Sequence, residues 1–207
     1  MGLSDHTVTE LLDSMSAGAL GPAGGTAASI AGALGVSLLL MATTLGTKRA
    51  HSSSAGGELR IVTARLQVAQ DRLVHLAERD AQAYAQVIEA RRRPGNTPAE
   101  KLARQIAVQD ALRGATDLPL EMMDACDQAL TCGTVVASHA SANARGDLAI
   151  AIELLCVALH GAARAIDANL ACLTDERYVA SVTEQCLRFE ANGTQTIGRI
   201  HRALDGA

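Results

Sequence analysis

Hydrophobic residues recur at helical spacing along almost the whole chain, and no segment shows the strict apolar–polar alternation of a half-buried strand. Breaks rich in Gly, Ser, Asn or Pro divide the pattern into segments. We therefore predict an all-α fold, a single-domain helical bundle over residues 1–207 with a long central buried helix. The predicted helices are a short one after residue 7, then about 26–50, 58–92, 98–113, 119–139, 147–173 and 176–203.

Several residues mark where these helices begin. Thr7 and Glu10 have the spacing of a capping box, and Thr97 with Glu100 repeats it, with a proline at the first helical position. Thr26 follows the loop 17–25 and is the predicted N-cap of the second helix. Pro119 is predicted to start or kink a helix, because proline cannot donate the backbone hydrogen bond of a helix interior.

The longest predicted helix carries an apolar seam whose spacings alternate between three and four residues. Asp80 occupies one position of this seam. A carboxylate there is expected to be buried or to line a cavity, which costs free energy unless the group is paired or functional. The apolar members of the seam are Leu59, Val62, Leu66, Ala69, Leu73, Leu76, Ala83, Val87 and Ala90.

The uncharged run 26–47 is long enough to span a membrane, since a bilayer needs about 20 apolar residues. Ten of its 22 residues are Gly, Ala or Ser and four more are Thr, a composition that also permits close helix packing in a soluble core. The rest of the sequence offers no second predicted span. We therefore interpret the run as the central buried helix and expect no membrane partner.

Composition narrows the classes of function further. Aromatic residues make up only 1% of the chain, so the core must be aliphatic, which favours packed helices over a sheet. The net charge is -4 and no basic stripe interleaves with aromatics, so nucleic-acid binding is not expected. The five cysteines lack C-x-x-C spacing, and we interpret them as reduced core residues of a cytoplasmic protein, with no metal site.

The segment LGPAGGTAAS, residues 20–29, is rich in glycine. It is not a Walker loop, because no G-K-[ST] follows Gly25, and no G-x-G-x-x-G fits it. One interpretation is a tight turn before a buried helix. The other is a helix N-terminus whose exposed N–H groups bind an anion or a carbonyl oxygen.

Four segments, in order, resemble the cyclodeaminase/cyclohydrolase family. The first is GPAGGTAASIAGALGVSLLLMATTL, and the others are RDAQAYAQVIEA (79–90), ALRGATDLPLEMM (111–123) and NARGDLAIAIELLCVALHGAARAIDANLACLTDE (143–176). The family contains the cyclodeaminase half of formiminotransferase-cyclodeaminase and stand-alone bacterial methenyltetrahydrofolate cyclohydrolases. The resemblance implies a cyclodeaminase-like helical bundle that forms a homodimer, with its pocket near the subunit contact.

The sequence departs from the family pattern at positions near the expected pterin or p-aminobenzoyl group. Ala23 stands where the family has Gly, and Thr26 where it has Ser. The Lys-rich stretch after the central helix is shortened, and of two asparagines in one motif only Asn169 is kept. These departures bear on the substrate more than on the fold.

The resemblance also implies roles for individual residues. Asp80 and Asp147 are the expected catalytic residues, as proton-transfer groups or, for Asp147, as a stabiliser of a cationic substrate carbon. For Asp147 an N-cap role is an equally open interpretation. The expected substrate-binding residues are Pro22, Gly24, Gly25 and Thr26 in the loop, Lys48 for a glutamate carboxylate, and Tyr84, His139, Asn143 and Asn169.

The resemblance implies a folate one-carbon reaction. The enzyme would hydrolyse 5,10-methenyltetrahydrofolate to 10-formyltetrahydrofolate, or cyclise formiminotetrahydrofolate with loss of ammonia. A tetrahydrofolate derivative is then the substrate, and no separate cofactor is expected. Two alternatives stay open: the same fold acting on a non-folate imine or amidine in specialised metabolism, and a non-catalytic helical binding protein.

Overall fold

The computed structural model describes residues 5–17, 23–50 and 54–205. In these parts of the chain the residues form helices and connecting turns with no strand, as predicted. A 3-10 turn at Ala142–Ala144 precedes the fifth helix. The α-helices are α1 (Val8–Ser16), α2 (Gly24–Ala50), α3 (Ser54–Arg92), α4 (Pro98–Ser138), α5 (Arg145–Leu170) and α6 (Glu176–Asp205).

The predicted central helix is confirmed. Helix α2 lies between α3 and α5, while α4 packs on α3 and α5, and α6 packs mainly on α4. Helices α2 and α3 run antiparallel: the Ser29 hydroxyl donates to the Leu73 carbonyl at 2.7 Å, and Thr63 donates to Thr43 near the other end at 3.0 Å. Both bonds satisfy polar groups inside a mostly aliphatic contact.

The apolar seam of α3 is buried along its whole length. Leu66 and Leu73 have no exposed surface, and Ala83, the most exposed apolar member, is only 8% exposed. Asp80 is the polar exception on this face and is half-buried. The heptad-like spacing therefore identified the buried face of the helix correctly, including the position of the carboxylate.

Two predicted helix boundaries are wrong. Helix α2 begins at Gly24, and the N–H of Ala27 already donates to the Ala23 carbonyl at 2.9 Å, so Thr26 lies inside the first turn instead of capping it. Pro119 lies within one continuous helix α4, so the predicted helix start at this residue is wrong. The capping boxes at Thr7 and Thr97 are confirmed, each with both reciprocal hydrogen bonds.

Helix α4 continues through Pro119 because another helix supplies the missing donor. Proline has no N–H, so the carbonyl four residues earlier, on Ala115, has no partner within the helix. The Asn169 side chain on α5 donates its Nδ2–H to this carbonyl at 3.1 Å. The helix therefore avoids an unpaired carbonyl at the proline, which would otherwise be costly.

The expectation of a single long apolar segment is also wrong. The segments Gly24–Thr47 and Ala142–Leu170 are both long and apolar enough to cross a membrane. Half of the first window and 44% of the second are buried inside the bundle, so packing between α2 and α5 accounts for much of their apolar character.

The cysteines are only partly the core residues that were predicted. Cys126, Cys132 and Cys186 are buried, and complete burial raises the pKa of the Cys126 thiol to about 12. Cys156 is partly exposed and Cys172 is exposed, so the core interpretation is wrong for Cys172. Cys172 lies just after the last residue of α5, where the chain turns towards α6.

Candidate functional site

A cleft of about 560 Å³ opens at one end of the bundle. Its walls come from the first turn of α2, the second half of α3, the first half of α4 and the last third of α5. The cleft thus lies where the antiparallel packing brings the start of α2 beside the middle of α3. The lining residues are Ala23, Gly24, Gly25, Asp80, Tyr84, Val87, Arg91, Leu112, Ala115, Gly161, Arg164, Ala165, Ala168 and Asn169.

Asp80 is the titratable group at the inner end of this cleft. Its Oδ2 accepts a hydrogen bond of 2.9 Å from the Thr26 hydroxyl, and Thr26 itself has no exposed surface. Burial raises the pKa of the Asp80 carboxyl, while hydrogen bonds from the Thr26 side chain and backbone oppose the rise. The carboxyl is therefore held in one orientation, and its proton affinity is higher than that of an exposed aspartate.

Gly25 is required by the close approach of this carboxylate. A Cβ atom at position 25 would lie 2.5 Å from Asp80 Oδ1 and 2.8 Å from Cγ. Any other residue would push the carboxyl away or shift the start of α2. The glycine-rich segment thus lets the first turn of a helix pack directly against an acid, and the first N–H groups of that turn have no intrahelical acceptor.

Asn169 lies on the α5 wall of the cleft, opposite Asp80. The hydrogen bond from its Nδ2 to the Ala115 carbonyl fixes the amide, so Asn169 has a structural role as well as a position in the predicted site. Tyr84 lies one helical turn after Asp80 on the same face of α3, and its side chain is 45% exposed. Five of the predicted residues therefore line one cleft, namely Asp80, Tyr84, Asn169, Gly24 and Gly25, and Thr26 lies directly behind them.

The structure does not bring the other predicted residues into this cleft. Asp147 is in the first turn of α5, fourteen residues before Gly161, which puts it about 21 Å from the cleft along the helix axis. Asn143 is exposed in the 3-10 turn beside it. The sequence suggested one pocket near the subunit contact for Asp80, Asn143 and Asp147. Within one chain the two aspartates lie towards opposite ends of the bundle, so the cleft of a single chain does not contain all three.

The remaining predicted residues have other surroundings. The Nε2 atom of His139, at the end of α4, lies 3.1 Å from Glu58 Oε2 on α3. Asp147 is not an N-cap, because Ala144 occupies that position. Pro22 lies outside the described residues, and Lys48 falls in the last turn of α2 with its side chain outside the described part.

Two arginines of the cleft were not among the predicted site residues. The basic helix end 91–95, which includes Arg91, was interpreted as a solvated face in preference to a contact for a polyglutamate tail, and Arg164 was not singled out. The signal for Arg91 was present: it follows Asp80 by eleven residues, three helical turns, on the same face of α3. Arg164 contacts Asp167 on its own helix at 4.0 Å and is 86% exposed.

This chain is similar to known proteins over most of its length. A family model described as formiminotransferase-cyclodeaminase matches residues 7–188. A methenyltetrahydrofolate cyclohydrolase of Methylorubrum extorquens is 29% identical over 174 residues, 84% of this chain and 84% of that protein. A formimidoyltransferase-cyclodeaminase of Gallus gallus is 26% identical over 81% of this chain, which spans only 31% of that protein.

A solved structure shares the fold almost completely. The crystal structure of formiminotetrahydrofolate cyclodeaminase from Thermotoga maritima superposes with a TM-score of 0.88, covering 99% of this chain and 98% of that one. The two sequences are 20% identical, so the likeness concerns the arrangement of helices. The match supports the helical architecture described above.

Proposed function

This chain belongs to the formiminotransferase-cyclodeaminase family, and we propose that it is a folate one-carbon enzyme acting at the carbon that bridges N5 and N10 of tetrahydrofolate. The first reaction is hydrolysis of 5,10-methenyltetrahydrofolate to 10-formyltetrahydrofolate. The similarity to the M. extorquens cyclohydrolase, which extends over 84% of both chains, favours this reaction.

The observation that carries the proposal is the half-buried Asp80 carboxyl at the inner end of the cleft. Both family reactions need a group that accepts a proton from the attacking nucleophile and returns one to a leaving nitrogen. Burial brings the pKa of Asp80 upward, towards the range in which one carboxyl can do both. Thr26 holds the carboxyl in place, and Gly25 leaves room for it.

In the hydrolysis, water attacks the bridging carbon of the cationic methenyl group and transfers a proton to the Asp80 carboxylate. The bond from this carbon to N5 then breaks and N5 takes up a proton, while the carbon stays on N10 as a formyl group. One proton is released overall for each molecule hydrolysed. The Thr26 N–H bonds to Asp80, and the N–H groups of Gly24 and Gly25 before it, which have no intrahelical acceptor, offer hydrogen bonds to a carbonyl or carboxylate oxygen of the ligand.

The second candidate reaction is cyclisation of formiminotetrahydrofolate. Here N10 attacks the carbon of the protonated formimino group and gives its proton to the Asp80 carboxylate. The same carboxyl returns a proton to the formimino nitrogen, which leaves as ammonia, and the cationic methenyl group remains. The similarity to the G. gallus formimidoyltransferase-cyclodeaminase favours this reaction. That relative is about three times as long, so only the matched part of it bears on this chain.

The protein is proposed to work as a homodimer in the cytoplasm. Aliphatic side chains on the outer faces of α2 and α5 support the dimer, because contiguous exposed apolar surface commonly marks an interface. These residues are exposed by 38 to 56% and are Leu34, Met41, Leu45, Ile150 and Val157.

A direct assay tests the proposal. Loss of the near-ultraviolet absorbance of 5,10-methenyltetrahydrofolate reports hydrolysis, and ammonia release from formiminotetrahydrofolate reports cyclisation. We expect wild-type protein to turn over at least one of the two. Asp80→Asn removes the proton acceptor and is expected to lower kcat by about 10²- to 10⁴-fold.

The control is Asp71→Asn, which removes an exposed carboxylate from the same helix and should leave kcat unchanged. A folded Asp80→Asn protein with wild-type kcat would contradict the role of Asp80. Turnover of neither substrate by the wild-type protein would contradict the folate function and leave the non-folate and binding alternatives.

A further inference from the structure

One face of α3 carries an ordered series of chemical groups along the cleft. Asp80, Tyr84, Val87 and Arg91 succeed one another at spacings of four, three and four residues, and all four line the cleft. At about 1.5 Å per residue, the Cα atoms of Asp80 and Arg91 are about 16 Å apart along the axis. From the inner end outward, the order is carboxylate, aromatic ring, aliphatic group and guanidinium.

The guanidinium of Arg91 is available to a ligand. Arg91 is exposed, and none of the ion pairs within residues 5–17, 23–50 and 54–205 involves it. Side chains on a helix lean towards its N-terminus, so a long side chain at position 91 extends back over the turn that carries Val87, in the direction of Asp80. Its charged end therefore approaches the cleft instead of pointing away from it.

We propose that this face of α3 fixes the lengthwise orientation of the substrate, with Arg91 binding the carboxylate of its glutamyl group. The inference rests on the proposed folate function. A reduced folate has the same order of groups, from the reacting carbon through the p-aminobenzoyl ring to the glutamyl carboxylates. With the reacting carbon at Asp80, the ring lies against Tyr84 and Val87, and the carboxylate reaches Arg91.

The reverse orientation is disfavoured by charge. It would put the glutamyl carboxylates beside the Asp80 carboxylate and the cationic methenyl carbon beside the Arg91 guanidinium. Like charges at close range in a partly desolvated cleft are repulsive, whereas the proposed orientation pairs opposite charges at both ends. Arg91 thus contributes to which way round the substrate binds, besides adding affinity.

The experiment compares two substrates that differ only in this tail: 5,10-methenyltetrahydrofolate and the corresponding methenyltetrahydropteroate, which lacks the glutamyl group. We expect Arg91→Gln to raise KM for the glutamate-bearing substrate by about tenfold, the effect of removing one charge-assisted hydrogen bond, with kcat unchanged. KM for the tail-less substrate should stay the same. The control is Arg92→Gln, because Arg92 is adjacent in sequence but does not line the cleft. This variant should change KM for neither substrate.

Three outcomes overturn the inference. In the first, Arg91→Gln raises KM equally for both substrates, which indicates a general effect on the cleft. In the second, Arg91→Gln and Arg92→Gln behave alike, which indicates an unspecific electrostatic effect. In the third, wild-type protein turns over the tail-less substrate alone, so no carboxylate is recognised. Turnover of neither substrate would instead remove the proposed function itself, together with this inference.

Discussion

At the residue scale, Asp80 illustrates how a functional group conflicts with stability. An aliphatic residue at this seam position would bury more apolar surface and cost no desolvation. The protein instead has a carboxyl at this position. The Thr26 hydroxyl donates to it at 2.9 Å, and glycine at position 25 leaves room for it. Two neighbouring residues at the start of α2, with Thr26 lying 54 residues before Asp80 in sequence, thus serve one acid, as expected of a site selected for chemistry.

We predict that Asp80→Asn raises the free energy of unfolding relative to wild type, by an amount that grows as pH rises. Burial raises the folded-state pKa of Asp80 above its unfolded value. Wild-type stability from this group is therefore fully present below the unfolded pKa and is lost as pH rises through the folded pKa. Asparagine does not titrate and still offers an oxygen to Thr26, so the variant avoids this loss.

Urea unfolding at a series of pH values, from below the ordinary aspartate pKa to neutrality, measures the difference. The free energy of unfolding of Asp80→Asn relative to wild type should increase over this interval. The exposed Asp71→Asn variant is the control for replacing an aspartate on the same helix. A difference between Asp80→Asn and wild type that stays constant with pH would mean that the raised pKa is not a property of this carboxyl.

At the element scale, the sequence predicted helices well where the signal is local. The seam of α3 and the capping box at Thr97 depend on residues within a few turns of one another, and both are confirmed. The continuity of α4 through Pro119 depends on Asn169, which lies 54 residues after the carbonyl that it satisfies. Such a pair is invisible to a local pattern, so the predicted break was wrong.

The contrast between local signals and pairs distant in sequence also applies to the residues of the site. Asp80 could be found from the seam alone, because its position conflicts with the apolar neighbours. Thr26 was assigned as a helix cap, since a threonine after glycines typically caps a helix, and its bond to Asp80 became evident only from the packing of α2 on α3. The separation of Asp147 from Asp80 depends on the antiparallel course of the helices, which motif order does not specify.

A double-mutant cycle tests the pairing across α4 and α5. Asn169→Ala leaves the Ala115 carbonyl without its donor and is expected to cost about 1–3 kcal/mol of unfolding free energy. In a Pro119→Ala background, residue 119 regains an N–H that donates to the same carbonyl, so Asn169→Ala should cost about 1 kcal/mol less. Denaturant unfolding of the four proteins gives the coupling energy, and an additive cycle would contradict the explanation of the continuous helix.

At the scale of the whole molecule, the two predicted catalytic aspartates face a geometric problem that a second copy can solve. Asp147 lies about 21 Å along α5 from the cleft of its own chain. The exposed side chains Ile150 and Val157 lie between them on the outer face of α5. Two-fold packing about the middle of this face would run the two α5 helices antiparallel and bring the partner's Asp147 towards this cleft.

Mixing inactive variants tests this shared site. Asp80→Asn and Asp147→Asn are each expected to lower turnover by at least about 10²-fold alone, but a hybrid dimer contains one site with both aspartates intact. Random subunit exchange in an equal mixture should restore about a quarter of wild-type activity, since half of the dimers are hybrids with one working site of two.

The matched control mixes Asp80→Asn with Gly25→Ala. In that hybrid each variant subunit carries a damaged cleft of its own, because residues 25 and 80 of one chain are in contact, so neither cleft is intact and no activity should return. Full turnover by Asp147→Asn alone, or an equal mixture as inactive as its components although subunits exchange, would contradict a cleft completed by the second copy.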